Sequence, residues 1–163
     1  MLIRLSQLRR VMPLKTIVLL INSLVLPHIR FCIALWGNCN VTQGKRIDKI
    51  IRFARRIAGR EASKLAWHGD ITLEHRIAAI RIIRQCLLFP ECMSSLLSSV
   101  FQIRQSDRVT RQSDNLDLPM PRTELKKASF AYSGTKLWNS LPNRVRKSSK
   151  SELVKYLENH IVH

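Results

Sequence analysis

Apolar residues recur at helical spacing along most of the chain, and this pattern predicts a mainly α fold. Residues 4 to 12 have the pattern of a short basic helix, and a second helix begins near Pro13, which suits a first helical position. The second helix is apolar nearly all round, which predicts a central, buried element. Pro27 is expected to kink or end it, and Gly37-Asn38 ends the segment that follows.

A third helix, at about residues 43 to 59, has the most asymmetric pattern. Gly59 is its predicted C-cap, and Asp48 is the lone acid inside it. Its apolar stripe consists of Ile47, Ile50, Ile51, Ala54, Ile57 and Ala58. Cations cover much of the remainder: Lys45, Arg46, Lys49, Arg52, Arg55, Arg56 and Arg60. Because acidic partners are nearly absent, i,i+4 pairing does not explain these seven cations. We predict a phosphate-facing surface, with an ordinary solvated face as the alternative.

Asp70 or Thr72 is expected to cap a fourth helix that runs to about Phe89. Its predicted core positions are Leu73, Ile77, Ile80, Ile83, Leu87 and Leu88, and its arginines Arg76, Arg81 and Arg84 are expected in solvent. A short helix is predicted near residues 91 to 102.

The pattern changes at residue 103, so we predict a helical domain over 1–102 and a tail region over 103–163. The tail begins with a polar loop, and strands at Leu116–Leu118 and Ala128–Tyr132 would form a short β-hairpin. A helical turn is expected over residues 134 to 139. Residues 149 to 152 form a capping box that starts a C-terminal helix with Leu153, Leu157 and Ile161 as its apolar stripe.

The net charge of the chain predicts an anionic partner. The 163 residues contain 28 Lys and Arg against 11 Asp and Glu, a net charge of +17. Such an excess repels itself, and nucleic acid, anionic membrane or an acidic protein surface would neutralise it. Asn22, Pro27, His28 and Arg30 interrupt the apolar residues between positions 16 and 36. The longest uninterrupted apolar stretch therefore falls short of the ~20 residues that cross a bilayer.

No motif in the sequence indicates an active site, and we predict no catalytic residue, cofactor or metal. Phosphate-loop and dinucleotide fingerprints are absent. Asp114 and Asp117 lie in a turn-rich loop, where turn formation explains them better than metal-assisted catalysis. The four cysteines form no CxxC pair, which favours free thiols and an intracellular location, in the nucleus or the cytoplasm. A zinc site at His28, Cys32 and Cys39 is the weaker alternative to buried thiols.

Several blocks, in order, resemble one family. Residues 24–32 (LVLPHIRFC) and 35–39 (LWGNC) resemble a segment just after the palm in non-LTR (LINE, jockey-like) retrotransposon reverse transcriptases. Residues 53–59 (FARRIAG) are similar to a basic helix of the same family. Residues 110–111, 116–119, 121–123, 129–132 and 137–142 (LWNSLP) are similar to its tail. The order and spacing of these blocks agree from about residue 3 to residue 160.

This resemblance implies a thumb-like helical bundle and tail without the palm. The family's catalytic Asp-Asp pair, its endonuclease and the zinc knuckle of some relatives are missing, so the chain is not expected to be an enzyme on its own. The full-length protein that it resembles is an RNA-directed DNA polymerase. A thumb grips a template–primer duplex, so the expected partners are RNA, DNA or a hybrid duplex, together with a reverse transcriptase palm, and not a membrane. Trp36 and Trp138 are candidates for stacking on bases, although anchoring in the core is the preferred interpretation.

Three hypotheses follow. The first is a non-catalytic module that binds the nucleic-acid backbone without sequence specificity. The second is a structural remnant of a decayed element with no selected activity, which would expose an apolar patch, with residues 17 to 26 as its expected place. The third, and weakest, is a membrane-surface helix.

Overall fold

The computed structural model describes residues 1–67, 69–104 and 114–160. These residues form helices and loops, with one antiparallel bridge between Ile103 and Leu116, which confirms the predicted mainly α fold. Contacts divide the chain into two compact units, Met1–Glu74 and His75–His163. The domain boundary predicted at residue 102 was drawn from composition and stays a prediction.

Five helices lie wholly in the first unit: α1 (Leu2–Leu8), α2 (Leu14–Leu20), α3 (Leu26–Arg30), α4 (Ile33–Trp36) and α5 (Val41–Ala58). A π-helical turn, Ile21–Val25, joins α2 to α3, and a 3-10 turn, Gly59–Lys64, follows α5. Helix α6 (Ile71–Leu88) begins in this unit. Ile17, Ile21 and Leu26 are almost fully buried, as expected for a central helix.

Pro27 does not end the second predicted helix. The chain stays helical through the π-helical turn and α3 to Arg30. Proline lacks the N–H that would bond one turn back, and a wider turn directly before it is a common way to accommodate such a gap. The helix is therefore longer than the sequence predicts.

A bidentate ion pair holds α3 to the start of α6. Arg30 Nη2 lies 3.0 Å from Glu74 Oε1, and Arg30 Nε donates to Glu74 Oε2 at 3.2 Å. Glu74 is buried, and the guanidinium also lies 5.7 Å from the ring centroid of Trp67 and donates to the Ala66 carbonyl. A planar guanidinium fits this combination of a carboxylate and an aromatic face better than a lysine does.

The described part of the second unit contains the rest of α6 and five further helices. They are α7 (Ser95–Val100), α8 (Glu124–Ala128), α9 (Phe130–Ser140), α10 (Asn143–Arg146) and the terminal helix α11 (Lys150–His160). A 3-10 turn, Pro90–Cys92, precedes α7. The capping box is confirmed: the Ser149 side chain accepts from the Glu152 N–H, and the Glu152 carboxylate accepts from the Ser149 N–H. Leu153 and Leu157 are buried, whereas Ile161 lies outside the described residues.

The predicted strand at Ala128–Tyr132 is wrong, because these residues belong to α8 and α9. Thr123 caps α8 through its hydroxyl, which accepts from the Lys126 N–H. Phe130 then packs edge-to-face on Phe101, with ring centroids 5.2 Å apart. Of the other predicted strand, only Leu116 forms a bridge. Side-chain capping and aromatic packing thus outweigh the β tendency of a short Phe-Ala-Tyr run.

Helix α6 confirms most of its predicted pattern. Asp70 is the cap, since its carboxylate accepts from the Leu73 N–H at 2.8 Å. Leu88, predicted in the core, is exposed, because it is the last residue of the helix. Arg84, predicted in solvent, is half-buried, and it donates to the carbonyls of Val145 and Ser148 at 2.7 and 2.8 Å.

Asn139 and Arg146 join the loops of the second unit to α9. The Asn139 amide bonds both the N–H and the carbonyl of buried Leu116, at 2.8 and 2.9 Å. Arg146 is buried and donates to the carbonyls of Asp114, Asn139 and Leu141. Burial lowers the pKa of the Arg146 guanidinium, and the Asp114 carboxylate opposes that shift. The Leu-Trp-Asn-Ser-Leu-Pro segment therefore contains residues with definite structural roles.

We predict that Glu74→Ala destabilises the protein by about 2–3 kcal/mol. The range is reduced for the partial exposure of Arg30, which would lose its buried carboxylate partner. Urea unfolding followed by tryptophan fluorescence measures the change. Glu124→Ala, which removes an exposed ion pair with Lys127, is the matched control and should change stability little. Equal losses in both variants would contradict the role of the Arg30–Glu74 pair.

Asn139→Ala should cost about 2–4 kcal/mol, because it leaves the N–H and carbonyl of buried Leu116 without their partner. Chemical denaturation monitored by circular dichroism tests this expectation. Asn143→Ala, at an exposed position on α10, should stay within about 0.5 kcal/mol of the parent. An unchanged stability of Asn139→Ala would show that this amide does not hold the loop that contains Leu116.

Candidate nucleic-acid interface

Helix α5 has well-defined ends. Asn40 is the N-cap, and its side-chain oxygen accepts from the Thr42 N–H at 2.7 Å. At the other end Gly59 has a φ of +58°, a conformation that favours glycine, so the predicted C-cap is confirmed. The helix begins two residues earlier than predicted and contains all the predicted cations except Arg60.

One side of α5 is buried and the opposite side is cationic. Ile51, Ala54, Ile57 and Ala58 are buried, while Ile47 is half-buried and Ile50 is exposed, contrary to its predicted place in the core stripe. The cationic side carries four exposed residues, which we name the basic strip: Lys45, Lys49, Arg52 and Arg56. Their spacing of four, three and four residues places them on one face, over ~16 Å of helix axis.

The other three predicted site residues lie off this strip. Arg46 is exposed on one flank, and Arg55 is half-buried on the other, where its guanidinium donates to the Gly69 carbonyl at 3.4 Å. Arg60 follows the C-cap and belongs to the 3-10 turn. The seven predicted cations thus form a four-residue strip with three less regular neighbours.

Within the described part of the chain, none of the seven cations lies within ion-pair distance of a carboxylate. Asp48 is on α5 itself, yet Arg52 donates to its backbone carbonyl rather than to its carboxylate. The Glu61 carboxylate lies 2.5 Å from Lys64 Nζ, and the hydrogen bond from Lys64 lowers the pKa of Glu61. The charge of the strip is consequently available to an external anion.

Arg9 is a neighbour of the strip that the sequence did not suggest. Its Nη1 donates to the Arg56 carbonyl at 3.3 Å, which caps the end of α5 from α1. The two residues are 47 positions apart, and no local pattern links them. This contact places a fifth cation at the Arg56 end of the basic strip.

The tryptophans serve mainly as internal anchors. Trp138 and Trp67 are buried, which confirms the preferred interpretation for Trp138. Trp36 is half-buried, and its indole N–H donates to the Phe31 carbonyl at 2.5 Å. Trp67 donates to the Gly69 carbonyl, the same acceptor that Arg55 uses. Aromatic stacking on bases therefore adds nothing to the candidate interface on α5.

In the described ranges, no three His, Cys, Asp or Glu side chains come together in a way that could hold a metal ion. Cys32 is exposed, Cys39 is half-buried and Cys86 is buried, and all are free thiols. Among the same residues, no helix has both the length and the apolar content needed to cross a bilayer.

The chain was compared with protein-family models, curated proteins and solved structures, and none of them matches it.

Proposed function

We propose that this chain binds the sugar–phosphate backbone of nucleic acid, without catalysis and without sequence specificity, through the basic strip of α5. The resemblance to the thumb and tail of a non-LTR reverse transcriptase suggests RNA, DNA or a hybrid duplex as the ligand. A reverse transcriptase palm is a second partner under this proposal, and the nucleus or the cytoplasm is the expected location.

The observation that carries the proposal is the combination of regular spacing, exposure and missing counter-charge on one helix face. Four cations lie along ~16 Å of the axis, and each is exposed and lacks a carboxylate within the described residues. Phosphate contacts of this kind provide affinity without reading base sequence. A rigid, capped helix holds the charges in place, so little ordering is needed on binding.

A structural remnant without selected activity is the second candidate. It is favoured by large apolar side chains that face solvent in the first unit, among them Leu19 and Leu24 in the expected stretch and Phe31 and Leu35 beyond it. Five of the ten residues from 17 to 26, including Ile17, Ile21 and Leu26, are buried instead. Such exposed side chains would promote self-association, which sedimentation of the purified chain would detect.

We expect binding to a 20-base-pair RNA–DNA hybrid that weakens steeply with salt. Replacing Lys45, Lys49, Arg52 and Arg56 by Gln should reduce the slope of log K against log salt by about 3, since ~0.7–0.9 of an ion is released per phosphate contact. Fluorescence anisotropy titrations between 50 and 200 mM salt measure this slope for the parent and the variant. Between 50 and 200 mM salt, the affinity of the parent should therefore fall by a factor about 60 times larger than that of the variant.

The matched control carries the same change at four exposed lysines of the second unit: Lys126, Lys136, Lys150 and Lys155. It loses the same net charge but leaves α5 intact, and its salt dependence should stay close to that of the parent. Equal effects in the two variants would show that net charge alone drives binding. No binding at 50 mM salt would refute the proposed function and favour the remnant.

A further inference from the structure

The second unit contains a cavity of about 370 Å³ between the end of α6, the start of α10 and the loop before α8. Its apolar side is formed by Leu87 and Leu88 of α6, Ile103 and Trp138. Leu88 and Ile103 are themselves partly open to solvent, so the apolar wall can be reached from outside. The volume is within the range of pockets that hold small molecules.

Positive charge surrounds the same cavity. Arg84, Arg146 and Lys147 line it, and Asp114 is the one acid among the described residues of its lining. Lys147 Nζ lies 3.8 Å from the Asp114 carboxylate, and both side chains are well exposed. The two guanidinium groups donate to backbone carbonyls and to the Asn115 side chain, so their charges have no carboxylate partner among the described residues. The cavity therefore combines an apolar wall with a positive electrostatic field.

Two buried donors belong to residues that line this cavity. The indole N–H of Trp138 and the Nε–H of Arg84 are covered from solvent and have no acceptor in the described part of the chain. Burial also lowers the pKa of Arg84. Donors buried without an acceptor are uncommon in proteins, so unused hydrogen-bonding capacity lies on two residues of the lining.

We propose that this cavity binds a small amphipathic anion, a compact apolar or aromatic body that carries one acidic group. The apolar body lies against Leu87, Leu88 and Trp138, and the acidic group faces Lys147 and the two arginines. This site lies in the second unit, apart from the basic strip of α5, and does not depend on the proposed function.

The test uses the full chain and two fluorescent probes that share an N-phenylnaphthylamine skeleton, 8-anilinonaphthalene-1-sulfonate and uncharged N-phenyl-1-naphthylamine. We expect the sulfonate to bind with one-to-one stoichiometry and about tenfold more tightly than the uncharged probe. A tenfold difference corresponds to a single favourable charge interaction in a partly desolvated site.

Two variants locate the site. Lys147→Glu reverses the exposed charge at the rim of the cavity. Ile103→Trp places a larger side chain at a partly exposed position of the apolar wall and so reduces the space in the cavity. Each should weaken sulfonate binding about tenfold or more. Lys155→Glu makes the same charge reversal on α11, outside the cavity, and should change the affinity for the sulfonate by less than about twofold. Circular dichroism confirms that all three variants are folded.

The outcomes are distinct. Loss of sulfonate binding in Lys147→Glu and Ile103→Trp, with retention in Lys155→Glu, supports the cavity. Equal weakening by Lys147→Glu and Lys155→Glu would overturn it in favour of a general charge effect. Equal affinity for the two probes would overturn the anionic character of the ligand. Failure of this test leaves nucleic-acid binding by the α5 strip unaffected, because the two sites share no residue.

Discussion

Carboxylates are too few in this chain to neutralise its cations, and this shortage governs where the arginines and lysines lie. With 11 acidic residues against 28 basic ones, at least seventeen cations need a partner other than a carboxylate. A buried guanidinium without compensation is costly, and the covered guanidinium groups of Arg30, Arg84 and Arg146 each donate to nearby acceptors. Arg30 uses a buried carboxylate and an aromatic face, whereas Arg84 and Arg146 use backbone carbonyls.

The carbonyls that accept from Arg84 and Arg146 are located where helices end. Arg146 bonds to Asn139 and Leu141 at the end of α9, and Arg84 bonds to Val145 and Ser148 around the end of α10. The last carbonyls of a helix lack partners and carry partial negative charge, so a cation is favoured there. These two side chains satisfy the helix ends and fix the loops at the same time, without using any of the scarce carboxylates.

Most of the other described cations are exposed, and the basic strip is their most regular arrangement. The same shortage of acid leaves the second unit's cavity positive, because Asp114 is the one carboxylate that the described residues contribute to its lining. The proposed nucleic-acid interface and the proposed anion-binding cavity thus derive from one property of the chain, an excess of positive charge that the described residues do not neutralise. They differ in ligand, since the strip offers a row of exposed point charges and the cavity offers a charged rim around an apolar wall.

The sequence by itself determined the elements whose signals are local. Periodicity placed α5 and α6, glycine and capping residues placed their ends, and the spacing of Lys45, Lys49, Arg52 and Arg56 placed those cations on one helix face. Only the tertiary structure decided the rest. It kept the chain helical through Pro27, turned Ala128–Tyr132 into helix, exposed Ile50 and Leu88, and withdrew Arg84 from solvent. The physical reason is clearest where residues far apart in the chain meet, as Arg84 does with Val145 and Ser148 and Phe130 does with Phe101, because no local pattern specifies such contacts.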